Sequence, residues 1–169
     1  EKISQGSVEK LGSLSTEEII LETNFWCAEH VTYHCGDDRT LSALAVYNRG
    51  YGRCGEESVF TINALRSVGI PARQVYAPRW SHCDDNHAWV EAWCDGKWVF
   101  LGACEPEMIL NRGWFTAASS RAMMIHSRMF GYETADEKEA GQEGMVHLYN
   151  QLSRYAATHE VTVTVVDTE

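Results

Sequence analysis

The spacing of apolar residues predicts helices in the first part of the chain. After Ser15-Thr16-Glu17-Glu18, which is typical of a capped helix start, apolar side chains recur at helical spacing. The most regular pattern begins near Cys54 and ends at Gly69 and Pro71, a typical stop signal. The sequence therefore predicts three helices, at Thr16–Val31, Arg39–Asn48 and Cys54–Val68.

The period of the apolar pattern changes to two after Pro71, which is typical of strands. It predicts strands at Ala72–Tyr76, His87–Cys94 and Lys97–Leu101, the last two joined by a hairpin turn at Asp95-Gly96. Helices followed by antiparallel strands indicate an α+β fold in which the helices pack on an antiparallel β-sheet.

The pattern beyond Trp114 is weaker. It predicts a helical segment at Ala117–Met129, a solvated loop at Glu133–Glu143 and strands at Met145–Tyr149 and Val161–Val166. We interpret residues 1–157 as one domain, and residues 158–169 as a strand leading into a truncated C-terminal β-domain.

Composition limits the functions open to the chain. Its 169 residues are 44% hydrophobic and 11% aromatic, which excludes a disordered chain, and no apolar run is long enough to span a membrane. The net charge of −10 argues against a nucleic-acid partner. Six cysteines occur without a C-x-x-C pair, and five cannot all pair if one is a nucleophile, so disulfides and oligomeric state stay open.

Cys54 is a candidate nucleophile. It lies between two glycines at the start of the most regular helix, and a helix N-terminus favours the thiolate form of cysteine. We therefore expect its thiol pKa to lie below the ordinary value of about 8.5. A small buried residue at a helix start would give the same pattern, so position alone does not decide.

His87 supplies the base that a nucleophilic cysteine needs. It begins a predicted strand 33 positions after Cys54, and a helix followed by antiparallel strands can bring the two together. A histidine at a strand start is usually a structural hydrogen-bonding residue, so the pairing with Cys54 carries more weight than the residue itself.

Several motifs in a fixed order resemble the transglutaminase-like core of the papain-like cysteine hydrolase superfamily. They lie between about Trp26 and Trp114 and are Gly52-x-Cys54, Leu65-Arg66-x-x-Gly69-Ile70-Pro71-Ala72-Arg73, His87-Ala88-Trp89-Val90-Glu91 and Lys97-Trp98-Val99. Two further segments, Arg53-Cys54-Gly55-Glu56 and Cys104-Glu105 followed by Gly113-Trp114, are similar to peptide N-glycanases. The zinc-binding cysteine pairs of those glycanases have no counterpart here.

The resemblance implies acyl transfer through a thioester at Cys54, with His87 as base and then acid, and with a third residue that orients the imidazole. In the family pattern that residue is an aspartate at the end of the second hairpin strand, a position that falls on Gly102. Glu105 is the favoured replacement if the chain bends before Pro106. Asn86 and Asp85 are the alternatives.

Other residues near these motifs are candidates for substrate binding. Trp89 and Glu91 alternate on the side of His87, and Arg79 and Trp80 lie on the loop before it. For the oxyanion we expect the N–H of Cys54 and a side chain from Trp26 or Asn48. The loop cluster His82-Cys83-Asp84-Asp85-Asn86-His87 holds metal-ligand types, but adjacent loop residues rarely converge on one ion. We expect neither a metal nor another cofactor.

These observations favour cysteine-dependent hydrolysis or acyl transfer at amide bonds of peptide, protein or glycopeptide substrates. Hydrolysis is favoured over crosslinking because no calcium loops or amine site are predicted. One alternative is a deglycosylating amidase of the peptide N-glycanase type, and another is a binding module that lost catalysis with the acid. The resemblance to multidomain bacterial cell-envelope proteins implies an extracytoplasmic location.

Overall fold

The computed structural model describes residues 12–36, 40–130 and 137–166. The helices are α1 Thr16–His30, α2 Ala43–Arg49, α3 Cys54–Ser67 and α4 Thr116–Ser119, with a 3-10 helix at Leu152–Arg154. The strands are β1 Thr32–Tyr33, β2 Tyr51–Gly52, β3 Ala72–Ala77, β4 His87–Cys94, β5 Lys97–Leu101, β6 His126–Phe130, β7 Glu139–Glu143 and β8 Val146–Asn150.

Six strands form one antiparallel sheet in the order β5-β4-β3-β6-β8-β7, and β1 and β2 form a short parallel pair. The predicted α+β fold, with helices on an antiparallel sheet, is confirmed. No helix in the part of the chain that the structure describes is long and apolar enough to cross a membrane.

The helices begin where local side chains satisfy their free N–H groups. In α1 the Ser15 hydroxyl accepts from the N–H of Glu18, and the Glu18 carboxylate accepts from the N–H of Ser15 at 2.8 Å, which is the predicted capping arrangement. In α2 the Ser42 hydroxyl accepts from the N–H of Ala45, so this helix begins later than predicted. The predicted start of that helix, Arg39, lies outside the described residues.

The core lies on both faces of the sheet. α3 packs on one face, where Ile62 and Leu65 contact Val90, Ala92 and their neighbours in β4 and β5. The other face carries a second cluster of buried side chains, which includes Val75, Trp80, Trp89, Phe115 and Ile125. β4 is therefore buried on both faces, and the residues at its start lie between two packed layers.

Two predictions for the last third of the chain are wrong. Residues 117–129 form only the short helix α4 before the chain enters β6, because β3 and β8 both pair with β6 and satisfy its backbone groups. Residues 139–143 form the edge strand β7 rather than a loop, and its glutamates are typical of an exposed edge. Residues 133–136 lie outside the described residues.

The predicted strand at Val161–Val166 is not formed. These residues make no strand pairing, and Val161, Val163, Val165 and Val166 are each at least 72% exposed. The domain boundary at residue 157 stays a prediction.

Candidate active site

Cys54 is the first residue of α3, where backbone N–H groups have no partner within the helix. The backbone N–H groups of Ala88 and Gly55 act on the sulfur and favour its thiolate form. Ala88 directly follows His87 at the start of β4, so the sulfur contacts the main chain from which the His87 imidazole projects. No hydrogen bond joins the two side chains within the described ranges.

The turn before Cys54 is fixed by a buried glutamate. The Glu56 carboxylate accepts from the N–H of Arg53 at 2.9 Å and from the N–H of Leu41 at 3.1 Å. A Cβ at Gly52 would lie 2.8 Å from the Glu56 Cβ, so only glycine fits there. This packing explains why glycine is needed at the first position of the Gly52-x-Cys54 motif.

Cys54 lines a cavity of about 330 Å³ between the start of α3 and strands β3, β4 and β6. The other lining residues are Thr40, Arg53, Gly55, Gln74, Tyr76, Asn86, Ala88 and Arg128. A larger groove of about 720 Å³ shares Thr40, Gln74 and Arg128 with this cavity. Cys54 therefore lines a cavity that adjoins a larger groove.

The His87 imidazole is enclosed by aromatic rings. It is 6% exposed, and its centroid lies 4.6 Å from the ring of Trp114 and 5.0 Å from that of Phe115. Its Nε2 atom is buried and has no hydrogen-bond partner in the described part of the chain. A buried polar atom without a partner is rare, and an orienting acid would satisfy this one.

Glu105 occupies the space that an aspartate side chain would need at position 102. A Cβ at Gly102 would lie 2.7 Å from Glu105 Oε2 and 3.0 Å from Glu105 Cβ. A two-residue turn through Ala103 and Cys104 places Glu105 opposite Gly102. The predicted bend is present, but it comes from this turn, in which Cys104 has a φ of 57°, and not from Pro106.

Asn24 of α1 holds the turn in place. Its side-chain amide donates to the carbonyl of Gly102 at 2.8 Å, and its Oδ1 accepts from the N–H of Cys104 at 3.0 Å. Asn24 is 2% exposed, so both bonds form away from solvent. A left-handed conformation at a residue other than glycine costs about 1 to 2 kcal/mol, and these bonds help to offset it.

Trp114 connects Glu105 to His87. Its indole N–H donates to both carboxylate oxygens of Glu105, at 3.0 and 3.1 Å, while its ring packs on His87. Asp85 and Asn86 are exposed, and the Asp85 carboxylate accepts from the N–H of Asn86 at 2.8 Å. Among the three predicted orienting residues, Glu105 alone fills the position vacated at Gly102.

Cys54 and His87 are both uncharged at neutral pH. Burial lowers the pKa of His87 to about 4, and the Asp85 charge only partly opposes this effect. Burial raises the pKa of the Cys54 thiol in spite of the two N–H groups that point at the sulfur. The expectation of a lowered thiol pKa is therefore wrong, because loss of water around the sulfur outweighs the helix N-terminus.

Sequence reasoning missed a second buried carboxyl group beside the site. Glu57 lies one turn after Cys54 on α3 and is 2% exposed. Burial, together with Cys104, Glu105 and Glu56, raises its pKa to about 9, so it is protonated at neutral pH. The helix pattern does not reveal the raised pKa of Glu57, because Cys104 and Glu105, which help to raise it, come from a turn far along the chain.

The predicted substrate-binding residues do not line the cavity at Cys54. Trp89 and Trp80 are buried in the second core cluster, and the buried Glu91 accepts from Arg73 at 2.7 Å and from the Tyr155 hydroxyl at 2.7 Å. These three residues serve packing and a buried hydrogen-bond network, and their contact with substrate stays a prediction.

Arg79 is exposed, pairs with Asp84 at 3.1 Å and lines a separate cavity with Trp80 and His82. Trp26 stacks on Tyr47 and Phe60, and neither Trp26 nor Asn48 lines the cavity where an oxyanion donor would be needed. Within the described residues, no group of three or more His, Cys, Asp or Glu side chains is arranged to hold a metal ion.

Comparisons with known proteins identify the family of the chain. Residues 5–103 match the sequence profile of the transglutaminase-like superfamily. Among curated proteins, none matches the chain in sequence.

Two solved structures share the fold. A candidate cysteine protease from Cytophaga hutchinsonii is 20% identical with a TM-score of 0.50, over 89% of this chain and 58% of that protein. This chain thus spans less than two thirds of that protein's length. Calcium-bound LapG from Legionella pneumophila is 15% identical with a TM-score of 0.54, over 93% of this chain and 80% of LapG.

Proposed function

The chain belongs to the transglutaminase-like superfamily, and from that premise we propose that it hydrolyses amide bonds of peptides or proteins through a thioester at Cys54. Members of this superfamily are cysteine-dependent enzymes in general, and the hydrolytic reaction and its substrate are our proposal. The observation that carries it is the sulfur of Cys54, which lies at a helix N-terminus, against the start of β4 and on the wall of an open cleft.

In the proposed reaction His87 acts first as base. Its Nδ1 takes the proton from the thiol as the sulfur attacks the substrate carbonyl carbon, and its unpartnered Nε2 is the atom that an orienting acid, the role we propose for Glu105, would bond. A neutral imidazole is the form that accepts a proton, which fits the lowered pKa of His87. The negative oxygen that develops is stabilised by the N–H of Cys54.

The second half of the reaction releases the acyl group. His87 gives its proton to the leaving amine, so the amide C–N bond breaks and a thioester remains at Cys54. A water molecule then attacks the thioester while His87 takes one of its protons, and the acid product and the free thiol are formed. An amine in place of water would give a transamidated product.

The test is a digest of a mixed peptide library by the wild-type protein and by the Cys54→Ala variant, with the products identified by mass spectrometry. We expect cleavage by the wild type only. Added methylamine reports transamidation, and an N-glycosylated peptide reports the deglycosylating alternative. Equal product patterns from the two proteins would contradict the proposal and favour a binding module. The extracytoplasmic location stays a prediction.

A further inference from the structure

The charged residues that line the cavity at Cys54 are both cationic. Arg53 precedes Cys54 at the start of α3, and Arg128 projects from β6, two strands away from β4. Among the described residues that line the cavity, none is Asp or Glu. This is unusual for a chain with a net charge of −10, in which acidic residues outnumber basic ones by 24 to 14.

Tyr76 lines the same cavity as the two arginines. The Arg128 guanidinium lies 5.7 Å from the centroid of the Tyr76 ring. Burial raises the pKa of Tyr76, and the charges of Arg128 and Arg53 both act against that rise. A carboxylate in the cavity could therefore accept hydrogen bonds from two guanidinium groups and a phenol.

Among the described residues, neither arginine has a close ion-pair partner. The Arg53 Nε lies 3.9 Å from Glu56 Oε2, and it is buried without a hydrogen bond in the described residues. Glu56 already accepts from two backbone N–H groups, so it is not dedicated to Arg53. In the part of the chain that the structure describes, Arg128 forms no ion pair, and its guanidinium lies over the ring of Tyr76.

We propose that Arg53, Arg128 and Tyr76 form an anion subsite, and that the enzyme acts on peptides that carry a carboxylate close to the amide bond cleaved at Cys54. This inference rests on the proposed function for its substrate, but the subsite itself can be measured without turnover. The carboxylate can come from an acidic side chain or from the C-terminus of the peptide.

The charge of Asp85 acts against this subsite. Its charge also reaches Tyr76, but its side chain is exposed and accepts from the N–H of Asn86, and it does not line the cavity. Solvent weakens the effect of an exposed charge, so the two arginines determine the local potential.

The first experiment compares alkylation of Cys54 by iodoacetate, which is an anion, and by iodoacetamide, which is neutral and of similar size. The iodoacetate rate at Cys54 is divided by the iodoacetamide rate, both measured on the Cys54 peptide by mass spectrometry. This ratio is then divided by the same ratio for the exposed Cys83. We expect this relative preference for the anion to fall about threefold to fivefold in Arg128→Gln, the factor that a partly exposed ion pair is worth.

Arg121→Gln is the matched control, because Arg121 is an exposed arginine that bonds only a nearby backbone carbonyl and does not line the cavity. It should leave the ratio at the wild-type value. An equal ratio in wild type and Arg128→Gln, or an equal loss in Arg121→Gln, would overturn the subsite. Because iodoacetamide reports thiol reactivity separately, failure of the subsite can be told apart from failure of Cys54 as nucleophile.

The second experiment identifies the source of the carboxylate. Four matched peptides carry an acidic or a neutral side chain next to each potential cleavage site, and a free or an amidated C-terminus. Faster cleavage of the peptides that carry one of the two carboxylates would show which carboxylate the subsite binds. Loss of that advantage in Arg128→Gln would support the subsite. Equal cleavage of all four peptides by the wild type would overturn the proposed specificity.

Discussion

Replacing Glu57 by glutamine should stabilise the protein as the pH rises. The folded state raises the pKa of this carboxyl group to about 9 from an ordinary value of 4.5, because burial and the nearby acids disfavour its charge. In the unfolded chain the group ionises normally, so unfolding releases its proton at neutral pH. The free energy of unfolding of the wild type therefore falls progressively between pH 4.5 and pH 9.

The size of the effect follows from the shift. Each pH unit in this window lowers the free energy of unfolding by up to about 1.4 kcal/mol, which amounts to about 3 kcal/mol at pH 7 relative to pH 4.5. Glutamine has a similar shape and cannot ionise, so the variant lacks this pH-dependent loss. Other titrating groups are present in both proteins and cancel in the comparison.

The assay is urea unfolding of the wild type and Glu57→Gln at pH 5 and pH 8. The difference in free energy of unfolding between the two proteins should grow by up to about 4 kcal/mol in favour of the variant. Glu22→Gln, at an exposed position on α1, should show no such growth. A difference that stays constant between the two pH values would refute the protonated, buried state of Glu57.

Three further predictions concern the catalytic groups. His87→Ala should lose nearly all turnover with a small change in melting temperature, whereas a collapse of stability with normal activity of the folded fraction would make His87 a structural residue. Glu105→Gln should lower turnover by up to about 10⁴-fold, as removal of the acid does in triads. Asn86→Ala and Asp85→Asn should keep most of the activity. The reverse result would assign the orienting role to the loop before His87. Alkylation of Cys54 by iodoacetamide should rise steeply only above pH 8.5, since burial raises the thiol pKa, and a high rate already at pH 6 would instead indicate a preformed thiolate.

The parts of the fold that local signals determine could be predicted from the sequence. The start of α1 is set by Ser15 and Glu18, the end of α3 by Gly69 and Pro71, and the β4–β5 hairpin by Asp95-Gly96. Each of these signals acts within a few residues, so no knowledge of the tertiary structure is needed.

The parts that depend on distant partners could not be predicted. Residues 126–130 become a strand because β3 and β8 lie on either side of them. The cavity lining follows from this order, since Gln74, Tyr76 and Arg128 come together only when β3 pairs with β6. Similarly, the turn that carries Glu105 is held by Asn24, 80 residues away in the sequence.

Trapping of an acyl group on Cys54 tests the central claim most directly. The protein is mixed with an activated ester such as 4-nitrophenyl acetate, and the acyl-enzyme is located by mass spectrometry of its peptides. We predict a rapid burst of nitrophenol with one acetyl group on Cys54, which is absent in Cys54→Ala and much slower in His87→Ala. Acetylation spread over the exposed Cys35 and Cys83, with Cys54 unmodified, would contradict the account.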